Sequence, residues 1–327
     1  MKKHLILLVS VILTGFASVH AESPFEFKES GEKSLVLTEG EKPVWSYQFG
    51  LITKTELPEN EKRRTRGCYI HPLFGLNGEI LTDDFPKDHY HHHGVFWTWP
   101  HVEVHKTVGK TDKYSLWEDI GDIQQRFVCW TDRKVDSDSA TLAVENGWFV
   151  GDEKIMIEKV RIITHKKAND SEIGSTRAVD LEFCWIPTTH PITLRGAEEK
   201  SYGGLTVRFR PASDNPSDGI TSITVPDGVA KEDLPEKPLP WADFTSKFGS
   251  DDKRSGAAIF IPPTHPDFPP TWLTRYYGPL CVGWPGVKGQ TFQPKEEIRL
   301  NYRIWVHENP VNVQQIEKAY DEYKNNR

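Results

Sequence analysis

The chain is expected to be all-β: a large antiparallel β-sandwich with a short C-terminal helix. Apolar and polar residues alternate with a period of two in many short runs, with Gly, Pro and Asp between them. Eleven Trp and sixteen Phe against two Met point to a core of flat rings, and helical periodicity occurs only near the end of the chain.

Phe25 to Leu51 alternates weakly around turn signals at Glu39-Gly40 and Lys42-Pro43, and reads as short strands. Gly67 to Leu73 is a strand ending in His71-Pro72, before a Gly75–Gly78 turn. Ile123–Trp130, Ala140–Phe149 and Ile155–His165 continue the pattern. Leu181, Phe183 and Trp185 share one face opposite Glu182 and Cys184. Leu205, Val207 and Phe209 oppose Thr206, Arg208 and Arg210. In Arg299–His307, Leu300, Tyr302, Ile304 and Val306 face away from Arg299, Asn301, Arg303, Trp305 and His307. Such alternation is expected of antiparallel sheets with one face on a core. Pro211 to Lys253 is rich in Pro, Asp, Gly and Lys and reads as surface loops around short strands. At the end, Asn309 is the expected helix cap and Pro310 suits the first turn. Val313, Ile316, Ala319, Tyr320 and Tyr323 form its apolar stripe.

Residues 1–21 have the form of an export signal: Lys2 and Lys3, an apolar run from Leu5 to Phe16, and small residues up to Ala21. The mature chain would be one β-sandwich domain, residues 22–327, periplasmic or secreted. Loss of the two lysines would take the net charge from −7 to −9, which argues against nucleic acid as a partner. The apolar run is too short for a membrane span. Cys68, Cys129, Cys184 and Cys281 are widely spaced and read as free thiols, with Cys129 and Cys184 buried in strands. No dinucleotide fingerprint, P-loop, nucleophile elbow or zinc-protease motif is present, so no nucleotide cofactor is expected.

Three segments could carry chemistry. In Leu81–Trp99, His89, His91, His92 and His93 fall within five positions behind Asp83, Asp84 and Asp88. If Asp88–Gly94 is extended, His89, His91 and His93 share one face and His92 takes the other. Imidazoles beside a carboxylate can hold a divalent or transition metal, or act as general acid and substrate clamp without one. The residues leave both open, with His89, His91 and His92 as the candidate ligands. In Arg195–Arg210, Glu198 or Glu199 can serve as base, and Lys200 and Arg208 can steady negative charge. An exposed charge run is the plain alternative. In Pro262–Gly286, prolines stiffen a stretch in which His265, Trp272, Arg275, Tyr276 and Tyr277 could line a rigid pocket, or simply brace a loop over the core.

Together these segments resemble the bacterial PmoA-like family, whose domain is labelled a methane oxygenase. Asp88, His89, His91, His92, Gly94, Phe96 and Trp97 match its histidine block, with His93 where arginine is usual. Lys200, Gly203 and Arg208 match a second block, in which Tyr202 departs from an acidic position. Pro263, Pro266, Pro269, Trp272, Arg275, Tyr277 and Gly278 match a third, with His265 for asparagine and Leu273 for histidine. The resemblance implies a galactose-mutarotase-like supersandwich and a site that handles sugars, often with a His acid and a Glu base. The oxygenase label fits poorly, since the chain has no membrane span.

The leading expectation is an exported enzyme acting on a sugar or glycoside by hydrolysis, elimination or epimerisation. His89, His91 and His92 would form its polar centre, with Glu198 or Glu199 as base. Lys200, Arg208 and Arg275 would orient the substrate, and Trp97, Trp272 and Tyr277 would stack on it. Asp88, His93, Tyr202 and His265 would complete the binding surface. A metal-dependent oxidoreductase and a non-catalytic glycan-binding module are the rivals. The leading reading requires the three segments to converge on one concave sheet face, with His92 near Arg208 or Arg275.

Overall fold

The computed structural model describes residues 23–118, 120–250 and 252–325; the leader-like segment 1–21 lies outside them. Two large antiparallel sheets dominate. The first runs, edge to edge, through Phe25–Ser30, Ser34–Glu39, Lys42–Gln48, Tyr69–Leu73, Val95–Thr98, Gly204–Arg208, Pro279–Gly283, Thr271–Thr274 and Leu234–Pro238. The second is built on the long strands Ile123–Val135, Ser139–Val150, Glu153–His165, Gly174–Pro187 and Ile298–His307, and continues through Arg254–Phe260 and Trp241–Lys247. No helix among the described residues is long and apolar enough to cross a membrane.

The alternation explains how the sheets meet. Trp45, Val95, Trp97, Leu205, Val207, Trp272 and Leu280 from the first sheet share one buried cluster with Val144, Val160, Leu181, Phe183, Trp185, Leu300, Tyr302 and Ile304 from the second. Trp97 packs on Phe183 with ring centroids 4.8 Å apart. The indole N–H of Trp45 donates to Thr164 Oγ1 at 2.8 Å. The all-β antiparallel sandwich is therefore what the chain forms, with each first-sheet strand presenting its alternate residues away from the core.

Glu153–His165 departs from a purely apolar interior. A register shift at Trp148/Phe149 accompanies an inward face of Met156, Glu158, Val160 and Ile162. Glu158 is fully buried, and its oxygens accept from Asn146 Nδ2, Gln125 Nε2 and the indole N–H groups of Trp148 and Trp185 at 2.8–2.9 Å. Four donors converge on one carboxylate, which is how a buried acid is made tolerable.

The helix is Val313–Asn325. Ile316, Tyr320 and Tyr323 pack on Trp241, Phe260 and Trp305, on the outer face of the second sheet. Three such side chains contribute on the order of 5 kcal/mol as an upper bound. Its cap is Asn312, not Asn309. Asn312 Oδ1 accepts from the Gln315 amide while Gln315 Oε1 accepts from the Asn312 amide, both at 3.0 Å. This reciprocal box satisfies two free helix-end donors, whereas Asn309 uses its amide on Ile173 O at 3.1 Å. Cys68, Cys184 and Cys281 are buried free thiols, but Cys129 is exposed. It stands at a register shift between Phe127 and Cys129, where the alternation breaks.

Candidate active site

The site is built on the face of the first sheet that points away from the core. Because Val95 and Trp97 point inward, Phe96 points outward. By the same rule Thr206 and Arg208 lie on the outer face of Gly204–Arg208, Leu273 on that of Thr271–Thr274 and Cys281 on that of Pro279–Gly283. Tyr69, Phe96, Leu273 and Cys281 join Trp117 in a small apolar cluster there. Above it opens a pocket of about 470 Å³.

The histidine stretch does not run extended. Amide bonds from His89 to Pro86 O (3.0 Å), His92 to His89 O (2.9 Å) and Phe85 to His92 O (3.1 Å) fold it into successive turns. The expected face assignment fails for that reason. His89, His91 and His92 all line the pocket, while His93 turns beneath it. There its Nδ1 lies 2.8 Å from Asp84, whose other oxygen accepts from Tyr69 at 2.9 Å. Gly94 is required where the chain leaves the turns, because a Cβ there would lie 2.1 Å from Ile70 O.

Asp88 ties the segments together. Arg208, almost wholly buried, donates through Nη2 to both oxygens of Asp88 at 3.1 and 2.9 Å. His89 Nδ1 lies 2.9 Å from Asp88 Oδ2. A carboxylate can only accept, so it holds His89 as the Nδ1–H tautomer and leaves Nε2 with a free lone pair. Tyr277 completes the arrangement: its ring stacks on His89 at 5.0 Å, and the Arg208 guanidinium lies 4.7 Å from its centroid. His89 and His92 are themselves stacked at 4.6 Å.

Burial governs the electrostatics. It holds His91 down at about 3 and His92 and His93 well below the usual imidazole range, so all three are neutral near pH 7. Burial also pushes Asp84 up to about 6 and the Cys281 thiol up to about 12, and raises Tyr277 and Tyr202. Asp88 goes the other way. Partial burial works against ionisation, but the His89 hydrogen bond and the Arg208 charge outweigh it. Nδ1 of His91 and of His92 is buried without a hydrogen-bond partner. Each such atom costs about 1–3 kcal/mol and calls for a reason to be retained.

Of the expected residues, Lys200, Tyr202, Arg275 and Tyr277 also line the pocket, and Arg275 is held by Asp233 at 3.0 Å. The three segments do converge on one sheet face, with His92 beside the Arg208–Tyr277 pair. Others lie elsewhere. Trp97 and Trp272 belong to the inter-sheet core, and the Trp272 indole donates to Leu239 O. His265 is buried against Trp284 and Tyr302, where burial lowers it to about 4. Glu198 is exposed and paired with Arg195 at 2.8 Å, and Glu199 is also exposed; neither lines the pocket. The carboxylates that do are Glu118 and Asp233. Trp117 forms a further wall, 4.6 Å from the Tyr202 ring and 5.7 Å from His92. Sequence reading missed these three; the one local signal was an aromatic–acid pair, Trp117-Glu118, between two runs of alternation.

The stacked pair His89 and His92 is not arranged as a chelate. Nitrogen lone pairs lie in the ring planes, and those of His89 and His92 are within 6° of parallel and stacked. The two lone pairs therefore do not converge on one point near 2 Å. Among the described residues no group of three His, Cys, Asp or Glu side chains is arranged to hold a metal ion.

A family model described as "Family of unknown function (DUF6807)" matches residues 34–321. The chain belongs to this family. The match does not confirm the PmoA-like label. No curated protein matches. Among solved structures, the chain is similar to a galactose mutarotase related enzyme from Lactobacillus acidophilus (9% identity, TM-score 0.36, covering 88% of this chain and 99% of that one). It is also similar to a polysaccharide lyase (10%, TM-score 0.31, 89% and 34%). A third is a 4-alpha-glucanotransferase from Thermococcus litoralis (10%, TM-score 0.22, 87% and 37%). The chain thus spans about a third of the latter two proteins. At these scores the likenesses carry no argument about chemistry.

Proposed function

We propose that the chain is an enzyme that binds a sugar or glycoside in this pocket and moves a proton at it. His89 Nε2 acts as base, or as acid once protonated, and Asp88 fixes its tautomer. The observation that carries this is the chain Arg208–Asp88–His89, a buried cation holding a carboxylate that orients an imidazole at the pocket wall. Glu118 lines the same pocket and is the second proton-transfer group, in the role the sequence assigned to Glu198 or Glu199. Neutral His91 and His92 offer hydrogen bonds to hydroxyls. Trp117, Tyr202 and Tyr277 supply the flat surfaces on which a sugar ring stacks, and Lys200 and Arg275 orient polar substituents. Hydrolysis, elimination and epimerisation all use such a pair. Export to the periplasm or beyond is part of the proposal and rests on residues 1–21.

The test is a screen of the purified protein against mono- and oligosaccharides by NMR, repeated with His89→Ala and Asp88→Asn. The expected result is a converted sugar whose turnover both variants reduce by ~10²–10⁴ while the fold is kept. A sugar that binds without conversion, and equally well to His89→Ala, would make this a binding module instead.

A further inference from the structure

A second concavity of about 480 Å³ lies beside the pocket, and its relation to the pocket follows from strand register. Leu273 and Cys281 are cross-strand partners, and so are Thr271 and Gly283. The first pair lines the pocket and the second lines the groove. They are consecutive pairs on one face of the same two strands, about 7 Å apart. The adjacent edge repeats the order: Asp233 lines the pocket and Glu236, at the bulge of Leu234–Pro238, lines the groove. Three neighbouring segments thus pass from one cavity to the other without leaving the sheet face.

What divides them is a single ridge, the loop 197–202. It is closed by amide bonds from Ala197 to Tyr202 O and from Ser201 to Ala197 O, both 2.9 Å. Its tip holds two non-glycine residues in the left-handed region, Glu199 (φ 61°) and Ser201 (φ 53°), a strained conformation that collects at functional sites. The result is a two-sided wall. Lys200 and Tyr202 line the pocket, whereas Ser201 lines the groove and hydrogen-bonds Thr271.

We infer that the groove binds the continuation of the ligand whose reacting unit occupies the pocket, so that the substrate class is an oligosaccharide or polysaccharide rather than a free monosaccharide. This rests on the sugar reading of the pocket. The lining suits such a chain. Glu236, Asp267 and Gln290 accept from hydroxyls, Lys288 donates, and Pro269 and Pro285 give apolar faces for the C–H side of a ring. The groove does not extend the histidine chemistry, since none of the pocket's histidines or its tryptophan reaches it. It contributes affinity and register.

The experiment is calorimetry of the full chain with ladders of glucose, mannose and galacturonate oligomers, from the monomer to about the hexamer. For the ladder that binds, affinity should rise by ~10-fold or more over the first few units. The Asp267→Ala/Gln290→Ala variant should abolish that rise while leaving monomer affinity unchanged; both residues lie at the surface, away from the pocket. Tyr277→Ala should weaken every member of the ladder. Monomer binding with no gain on lengthening, or a gain that survives the double substitution, overturns the groove alone. Binding of no member overturns the sugar reading and this inference with it.

Discussion

Asp88→Asn tests the site at its centre and needs no substrate. In the wild type Asp88 accepts from His89 Nδ1 and twice from Arg208 Nη2. Asparagine keeps one acceptor and turns the other position into an NH2 donor. Arg208 donates only, and its Nε and Nη1 are already buried without partners, so it claims the remaining oxygen. The new NH2 then faces His89 Nδ1, and the contact survives only if that nitrogen becomes an acceptor. His89 must switch tautomer, and Nε2 at the pocket becomes a donor. The energetic side is modest. A charged hydrogen bond is worth about 1 kcal/mol more than a neutral one. The Asp88 side chain is 43% exposed, which screens part of the gain, so the loss should be about 1 kcal/mol. In a chain of this size that lowers Tm by about 2–4 °C. The assay is two-bond ¹H–¹⁵N spectroscopy of histidine-labelled protein, alongside a thermal melt. Wild-type His89 should show Nδ1–H, and Asp88→Asn should show Nε2–H with a near-native melt. A wild-type His89 already in the Nε2–H form, or no change on substitution, refutes the reasoning.

Acid should destabilise the fold through its buried imidazoles. His91, His92 and His93 have lowered folded values, so the stability they confer is present above about pH 6.5 and is lost as pH falls toward their folded values. Asp84, raised to about 6, opposes them between about pH 4 and 6, but it is one group against three. Denaturant midpoints should therefore fall from pH 7.5 to pH 5, and a flat or rising profile would contradict the burial of these rings. Glu158→Gln puts an NH2 among four donors in a fully buried site. It should cost about 1–3 kcal/mol, read from urea unfolding; a loss well under about 1 kcal/mol would mean the network is not closed. Trp97→Ala and Trp272→Ala should each cost about 3–5 kcal/mol as core truncations. If instead they unfold like wild type and weaken sugar binding, the assignment of these rings to the core is wrong.

The same rule that made the fold legible also decided which candidate residues could reach the site. In a strand, side chains alternate, so once Val95 is known to face the core Trp97 must follow it, and Phe96 must face the other way. The same holds for Trp272 against Leu273, and for Val207 against Arg208. The pattern was visible in the bare sequence, and applying it to the aromatics would have removed Trp97 and Trp272 from the stacking surface in advance. What alternation cannot reach is any segment without a fixed period. The run around Asp88–His93 turns twice, through His89 to Pro86 O and His92 to His89 O, and is closed by Phe85 to His92 O, so residues two apart need not share a face and residues next to each other can. Glu198 and Glu118 make the same point from opposite directions. Both are acids on short connections between strands, with nothing local to separate them. Glu198 spends its charge on Arg195 outside the pocket, whereas Glu118 sits beside Trp117, which the apolar patch on the outer sheet face holds in place. Both loops reach that patch, Glu118's through Trp117 and Glu198's through Tyr202, so selection between the acids is made by where each falls in its loop rather than by residue type. A carboxylate earns a catalytic assignment in such a fold only after the sheet face beneath it is known.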